Sequence, residues 1–401
     1  SMLQMTIQLG AFPRWVLASV EGHAMMGEGG VAAVVEAIKG QLDNTINATT
    51  IQKAFLKQST EEVPLNGRSD VVHYMTYGYV SKEAKSTAAS ETVTYAFDDF
   101  LLGEMSYIVG DVENGDAAMV RSKNYATIWS DERQIICPKT ASTPDTPGVL
   151  ECPISAKTSF PQYREGNAYH WSWDIAHDPD GLIELFGRKD INNNETENLS
   201  SMHAYYKALD QFFDEHVMYS ERLGSALPNP YYWAGNEEDA FAVWMFSFGK
   251  LGQHRFGDIG GGYCTHTQYW SRRLTHMHYG PNYNGNPGNE DYGAMASWLL
   301  FASLGLFPQA GTTNFVIGSP RIVDATVYLN GHGVVTSEQT SRYLHIQTYN
   351  NNEENVYVDK LFINGIEYVG GPILDRAVLV QEGGCHLEFY MTSTPISGLC
   401  N

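Results

Sequence analysis

The chain is short of positive charge. Against 46 aspartates and glutamates stand 25 lysines and arginines, a formal net charge of −21 over 401 residues. A surface of that sign repels phosphate backbones and anionic lipid, which excludes nucleic acid or an acidic membrane as the main partner. Long apolar runs are missing too. Nothing approaches the roughly 20 residues of a membrane-spanning helix, and the opening "SMLQMTIQLG" has neither the basic nor the apolar region of a signal peptide. Cysteine is scarce, five in all, with no cluster at zinc spacing. A Gly-x-Ser-x-Gly elbow is absent, which removes the serine-hydrolase reading. The glycines of "GDIGGGY" at 257–263 lack the strand-to-helix context of a phosphate loop.

What is present is aromatic and loop-rich. Hydrophobic residues make up 43% and aromatics 12%, enough to fill more than one core at this length, so two domains are expected. Cys137 and Cys152 flank "PKTASTPDTPGVLE", a Pro/Thr/Ser-rich loop that a disulfide would staple, and Cys385 and Cys400 offer a second pair. Glycosylation sequons start at Asn47, Asn194 and Asn198. Together these features place the protein in the secretory pathway, with any signal peptide outside this chain.

Two textures divide the sequence. Up to about residue 310 it reads as helices separated by polar loops. "VAAVVEAIKG" closes on Gly40, and "SETVTYAFDDFLLGEMSYIVG" offers Ser90 as N-cap and Gly110 as stop. "SSMHAYYKALDQFFDEHV" repeats apolar residues at helical spacing, while "EEDAFAVWMFSFGKLG" and "YGAMASWLLFASLGLFP" suit buried helices. From 311 to 401 the segments are short, β-branched and aromatic, with Asn-Gly steps at Asn330 and Asn364 that suit hairpins. The expected architecture is α+β: an (α/α)6 toroid over 1–310, then a small β-sandwich over 311–401.

Four loop segments could carry chemistry. In "YREGNAYHWSW", Glu165 stands beside a tight turn among Tyr163, Tyr169, Trp171 and Trp173. Rings stack on the apolar face of a pyranose, and a desolvated carboxyl keeps a proton to donate. In "GNPGNEDYGAM", Glu290 and Asp291 precede a helix, where they serve either as acids complementing its dipole or as a base holding water. "YYWAGNEED" sets oxygen-bearing side chains beside a glycine, which suits a hard cation or, equally, an acidic helix start. "FPRWVLASVEGHAMMGEGG" gathers Arg14, Trp15, Glu21, His23 and Glu28 around flexible glycines. Local sequence leaves both readings open at each place.

Taken in this order, the segments resemble glycoside hydrolase family 92, the calcium-dependent inverting α-mannosidases. "NGNPGNEDYGAMASWLLFASLGLFP" running into "FVIGSPRIVDATVYL" carries most of the likeness. "YREGNAYHWSWDIAHDPDGLIELFG", "TVTYAFDDF", "YYWAGNEED" and "FPRW…MMGEGG" add to it. The resemblance implies Glu165 as general acid and Asp291 as general base. It implies Asn236 and Glu237 at the calcium, and Trp15, Glu28, Tyr169, Asn289 and Glu290 against the substrate. It further implies a mannose-containing, N-glycan-type oligosaccharide, α-1,2-linked, cleaved by single displacement. A β-sandwich ahead of the first residue is also implied, and nothing in this sequence corresponds to it, so a separate polypeptide is one source. "MMGEGG" has Glu28 and Gly29 where the family commonly has Asp-His, and Glu238 stands where Pro is usual. Those departures keep a second expectation alongside the first: a mannose-binding protein that has lost turnover.

Overall fold

The computed structural model describes residues 6, 11–17, 20–22, 25–40, 47–64, 66–158, 161–188, 197–223, 228–249, 263–329, 342–395 and 399–400. His23, Asn194, the Asn330-Gly331 step and the glycines at 257–262 lie outside them. The chain divides into two compact units, Ser1–Asn194 and Glu195–Asn401. The change of texture falls elsewhere: the last long helix ends at Leu304 and strands begin at Leu306, inside the second unit.

The first unit is built on the helix Ala88–Ile108. It opens two residues before Ser90, whose hydroxyl is buried and serves another purpose described below. Gly110 ends it as expected, at a φ of +80° that costs glycine nothing. Leu101, Leu102 and Met105 point into a cluster with Phe12, Val31, Val35 and Phe55. That joins the helices Gly29–Lys39 and Ala48–Thr60 to it, each large side chain contributing about 1.5–3 kcal/mol on burial. Asn47 caps the second of these through Thr50 N at 3.0 Å. The helix Val112–Arg121 packs back along Ala88–Ile108, closely enough that a Cβ at Gly103 would meet Met119 Cε at 2.8 Å. Two minimal hairpins, β1 (Val16–Leu17) with β2 (Val20–Glu21) and β3 (Trp129–Ser130) with β4 (Ile135–Ile136), complete the frame. Cys137 and Cys152 form the expected disulfide, Cα to Cα 4.7 Å.

In the second unit the helix Glu197–Leu223 buries Met202, Tyr205, Leu209, Phe212 and Phe213, the stripe its spacing foretold. Within "EEDAFAVWMFSFGKLG", residues 241–248 are buried as expected but do not form an α-helix. Only a 3-10 stretch, Ala242–Ser247, forms, with every residue interior. Bulky aromatic and β-branched residues are weak helix formers, and packing on all sides leaves no amphipathic period to favour one. The helices Cys264–His278 and Ala294–Leu304 follow.

Two sheets close the chain. β5 (Leu306–Pro308), β6 (Asn314–Ile317) and β11 (Ile373–Asp375) form one, in the order β11-β6-β5. β7 (Asp324–Tyr328), β8 (Tyr343–Tyr349), β9 (Tyr357–Ile363), β10 (Ile366–Glu367) and β12 (Cys385–Thr392) form the other, in the order β10-β9-β12-β8-β7. Only the β8–β12 pairing is parallel. β8 and β12 alternate buried and half-buried residues, and Leu344, Ile346, Leu387 and Phe389 share one core with Leu306, Ile317 and Leu374 of the smaller sheet. That shared core is the expected sandwich. Asn364 and Gly365, at φ +51° and +79°, turn β9 into β10. "RAVLVQEGG", expected as a strand, is instead a helical turn, Arg376–Leu379, started by Asp375 Oδ1 accepting from Ala377 N at 2.7 Å. The second disulfide also departs from expectation. Cys400 pairs with Cys264, Cα to Cα 5.6 Å, because Cys385 opens β12 pointing into the sandwich core and stays unpaired there.

Candidate active site

Glu165 owes its position to its neighbours. Tyr163 donates its hydroxyl to Ile136 O at 2.6 Å. Arg164 N donates to Ser90 Oγ at 2.8 Å, the hydroxyl that might have capped its own helix. Trp171 Nε1 returns to Arg164 O at 2.9 Å. On the far side Asn167 and His170 form a capping box that starts the helix Ala168–Trp173. Gly166 is pressed so close that a Cβ would meet His170 Nδ1 at 2.9 Å. Pinned on both flanks, Glu165 takes a left-handed φ of +50°, and its half-exposed side chain stands 3.6 Å from Arg164 Nε. The rings expected around it are mostly core. Tyr163, Trp171 and Trp173 are buried, because Tyr163 and Trp171 spend their polar tips fixing the turn. Tyr169 alone of the four keeps part of its surface.

The same helix face holds the glycine turn. A Cβ at Gly27, φ +65°, would strike Thr94 Cγ2 at 2.3 Å, and Glu28 N donates to Asp98 Oδ2 at 3.1 Å. Ser90, Thr94 and Asp98 recur every four residues, so one helix stripe grips both segments. Glu28 is 1% exposed, and both its oxygens accept from Arg68, at 3.1 Å each. Arg68 also meets Asp99 at 3.1 Å, and Tyr74 donates to Asp99 at 2.8 Å. Burial works against the charge of Arg68, but Asp99 and Glu28 outweigh it and hold its pKa up. Asp98 is pushed well above the carboxylate range by burial and then by Glu28. Trp15 remains part-exposed, with its ring against Gly22. Glu21 folds back to accept from Arg14 N at 2.6 Å and Trp15 N at 3.2 Å.

In the second unit two candidate segments meet backbone to backbone. A Cβ on Gly235 would lie 3.0 Å from Gly288 Cα. One on Gly288, at φ +70°, would lie 2.5 Å from Gly235 O. Only glycine on both sides permits that approach, and it sets Asn236 and Glu237 on a turn touching the one that carries Asn289, Glu290 and Asp291. Trp298 ties them further, donating Nε1 to Ala240 O at 3.0 Å and stacking on Tyr279 at 5.6 Å. Asp291 and Tyr292 are both left-handed, φ +42° and +57°, and exposed. Asn289 is exposed as well. Glu290 accepts from Ala296 N at 3.1 Å and from Asn286, so it starts the helix Ala294–Leu304. Asn236 is buried and Glu237 exposed. Beside these turns opens a basin of about 660 Å³, lined by His278, Asn282, Asn284, Asn286, Gly288 and Glu290.

Beneath the basin lies a pair the sequence did not disclose. His216 Nε2 and His278 Nε2 are 2.8 Å apart and buried. Burial lowers both, His216 to about 3 with help from His278, and His278 to about 4. Both are therefore neutral at pH 7, one donating to the other. Asp239 moves the other way: burial raises it to about 8, although it accepts from Trp233 N at 2.9 Å. Among the described residues no three His, Cys, Asp or Glu side chains gather as a metal cluster. No described helix is long and apolar enough to cross a membrane.

The model of the glycosyl hydrolase family 92 catalytic domain matches residues 1–393. An uncharacterized secreted glycosidase of Arthroderma benhamiae is 20% identical over 400 residues, covering 90% of this chain and 44% of that protein. A family GH92 α-mannosidase from Bacteroides thetaiotaomicron superposes with a TM-score of 0.76 at 20% identity, over 96% of this chain and 44% of its own. A GH92 inverting mannosidase of the same organism gives 0.74 at 22%, over 98% and 50%. The first of these folds has also been solved in complex with mannoimidazole. The chain thus spans about half the length of these relatives. At such identities the structural likeness speaks for the fold: mixed helices and sheets in the same arrangement.

Proposed function

The chain belongs to glycosyl hydrolase family 92, and on that premise we propose that it carries the catalytic machinery of an exo-acting α-mannosidase. The observation that supports this most is the presentation of Glu165 and Asp291, each exposed on a left-handed turn. Such backbone costs of order 1–3 kcal/mol outside glycine and persists where the surroundings over-determine it, often at functional sites.

In this reading protonated Glu165 gives its proton to the glycosidic oxygen. Asp291 takes one from a water that attacks the opposite face of the sugar. Inversion by this route requires the two carboxyls to be about 6.5–9.5 Å apart, leaving room for the water. Trp15 and Tyr169, both part-exposed, offer ring faces to the pyranose, and Asn289 hydrogen-bonds its hydroxyls. Glu290 holds the turn that carries the base. Glu28 acts at one remove, fixing the glycine turn through Arg68. Asn236 and Glu237 offer two hard oxygen donors, fewer than the 6–8 or so that calcium takes, so backbone carbonyls, waters and the sugar itself would complete its shell. A calcium held there would grip vicinal hydroxyls of the mannose. The substrate is a mannose-terminated, N-glycan-type oligosaccharide with α-1,2 linkage, and the two disulfides suit a secreted protein.

Incubation with α-1,2-mannobiose and calcium, followed by proton NMR, should show β-mannose as the first product. A chelator, Glu165→Gln and Asp291→Asn should each abolish release. Undiminished turnover in either variant removes that residue from its role. Saturable mannose binding without release in the wild type would establish the non-catalytic alternative.

A further inference from the structure

The helix Cys264–His278 contains "YWSRRLTHMH", a concentration of cations in a chain of net charge −21. Helical spacing sets Arg272 beside His276 and Arg273 beside Tyr269, each four residues apart. Across from them, Arg321 follows β6. The three guanidiniums, with Tyr269, His276 and Asn351, line a cavity of about 480 Å³.

Each arginine is placed rather than paired. Arg272 spends Nε on Ser319 Oγ at 3.1 Å and Nη2 on Asn351 Oδ1 at 2.8 Å and on Pro320 O. All three acceptors are neutral. Arg273 lies over the rings of Tyr269 and Trp270, 5.7 and 5.4 Å from their centroids, and donates to the Tyr269 hydroxyl. Arg321 makes no side-chain bond among the described residues. None of the three has a carboxylate within ion-pair distance among those residues. The one acid on the cavity wall, Glu353, is exposed at the rim. The repulsion registers on Arg272, whose pKa is lowered to about 10 by burial and then by Arg321. Like charges are thus gathered around a space with no carboxylate in ion-pair contact among the described residues, at a position fixed by neutral hydrogen bonds.

We propose that this cavity binds a tetrahedral oxyanion, a phosphate or sulfate group, either free or esterified to a sugar. Guanidinium forks match such oxygens two at a time. A polyanion is disfavoured by the chain's net charge of −21, which restricts the occupant to a single group. The space is within the range that holds a whole small molecule, and the Tyr269 ring provides a wall for an attached pyranose.

Isothermal titration in the presence of a chelator denies the ligands any calcium. Inorganic phosphate, inorganic sulfate and glucose 6-phosphate are the probes, and glucose is the neutral control. One saturable site for the oxyanions and none for glucose is expected. Tighter binding of the sugar ester identifies the esterified source, and equal binding the free ion. Arg321→Ala should weaken binding tenfold or more with no change in melting temperature, since its side chain holds nothing in the fold. Arg273→Gln should weaken it as well. Absence of saturable binding at millimolar probe, or affinity unchanged in Arg321→Ala, overturns the proposal. Neither result depends on mannoside hydrolysis.

Discussion

Glu165 and Asp291 share a rare backbone conformation, φ +50° and +42°, but the turns that hold them are made of different materials. In the first unit side chains do the holding: a tyrosine hydroxyl, a serine hydroxyl and an indole N–H each take one backbone group, and an asparagine cap takes two. In the second unit two backbones press together at Gly235 and Gly288, with no side chain between them. The difference decides how each half fails. A clamp of many hydrogen bonds loses one member at a time. A glycine contact has no intermediate state, because the first added carbon already collides.

The largest effect is expected where the first unit's clamp stands on its base. Arg68 sits between Glu28 and Asp99, all three buried. Removing the cation strands Glu28, while Asp99 keeps Arg121 at 3.1 Å, a loss of about 3–5 kcal/mol for a broken buried pair. Arg68→Met should lower the unfolding free energy extrapolated from a urea titration by that amount. A value within 1 kcal/mol or so of wild type would mean the stranded charge is neutralised at little expense and the network is not the base supposed here.

Gly288→Ala should come next. The new Cβ would lie 2.5 Å from Gly235 O at a left-handed φ. Conformational cost and overpacking together amount to about 2–4 kcal/mol. Hydrolysis should vanish with it, since the turn bearing Asn236 and the one bearing Asp291 must separate. Ser90→Ala is the matching perturbation of the first half and should be milder. It leaves Arg164 N without its acceptor, about 1–3 kcal/mol at most. Turnover should fall several-fold with KM nearly constant, because the acid is displaced and not removed. If Ser90→Ala proved as damaging as Gly288→Ala, the contrast between a divisible and an indivisible clamp would be lost.

The two halves also differ in how much of them the sequence disclosed. Short β-branched and aromatic segments foretold β8 and β12, and the Met202–Phe213 stripe foretold its helix, because composition and periodicity are local properties. Ser90 looked like an N-cap because serine before a helix usually is one. Its hydroxyl went instead to Arg164, 74 positions away, and no local rule sees that. Arg68 sits in "NGRSD", which reads as a turn, and its two acids lie 40 and 31 positions off. Cys264 was likewise hidden from Cys400 by 136 residues. At "NED" the two open readings were a helix-starting acid and a base. Glu290 took the first part, which leaves Asp291 free for the second. Only the family resemblance singled out Asp291 in advance.

The remaining effect concerns pH, and it tests whether the second half rests on its histidine floor. His216 and His278 titrate near 3 and 4 in the folded unit and near 6.5 or so in an unfolded chain. The unfolded state therefore binds protons first as pH falls. The stability these neutral rings contribute is complete above about pH 6.5 and is lost progressively down to pH 3–4, by up to about 1.4 kcal/mol per pH unit per ring. Asp239, raised to about 8, works in the opposite sense. Its folded form holds a proton the unfolded chain releases above about pH 4, so its contribution shrinks as pH rises from there to 8. The two slopes overlap between pH 4 and 6.5 and partly cancel, and a single melting curve against pH would hide both. The difference between wild type and the double variant His216→Leu/His278→Leu isolates the first. It should grow as pH rises from 4 to 6.5 and level off above. A flat difference across that window would mean the pair takes up protons as readily folded as unfolded, and the basin would then have no dry floor.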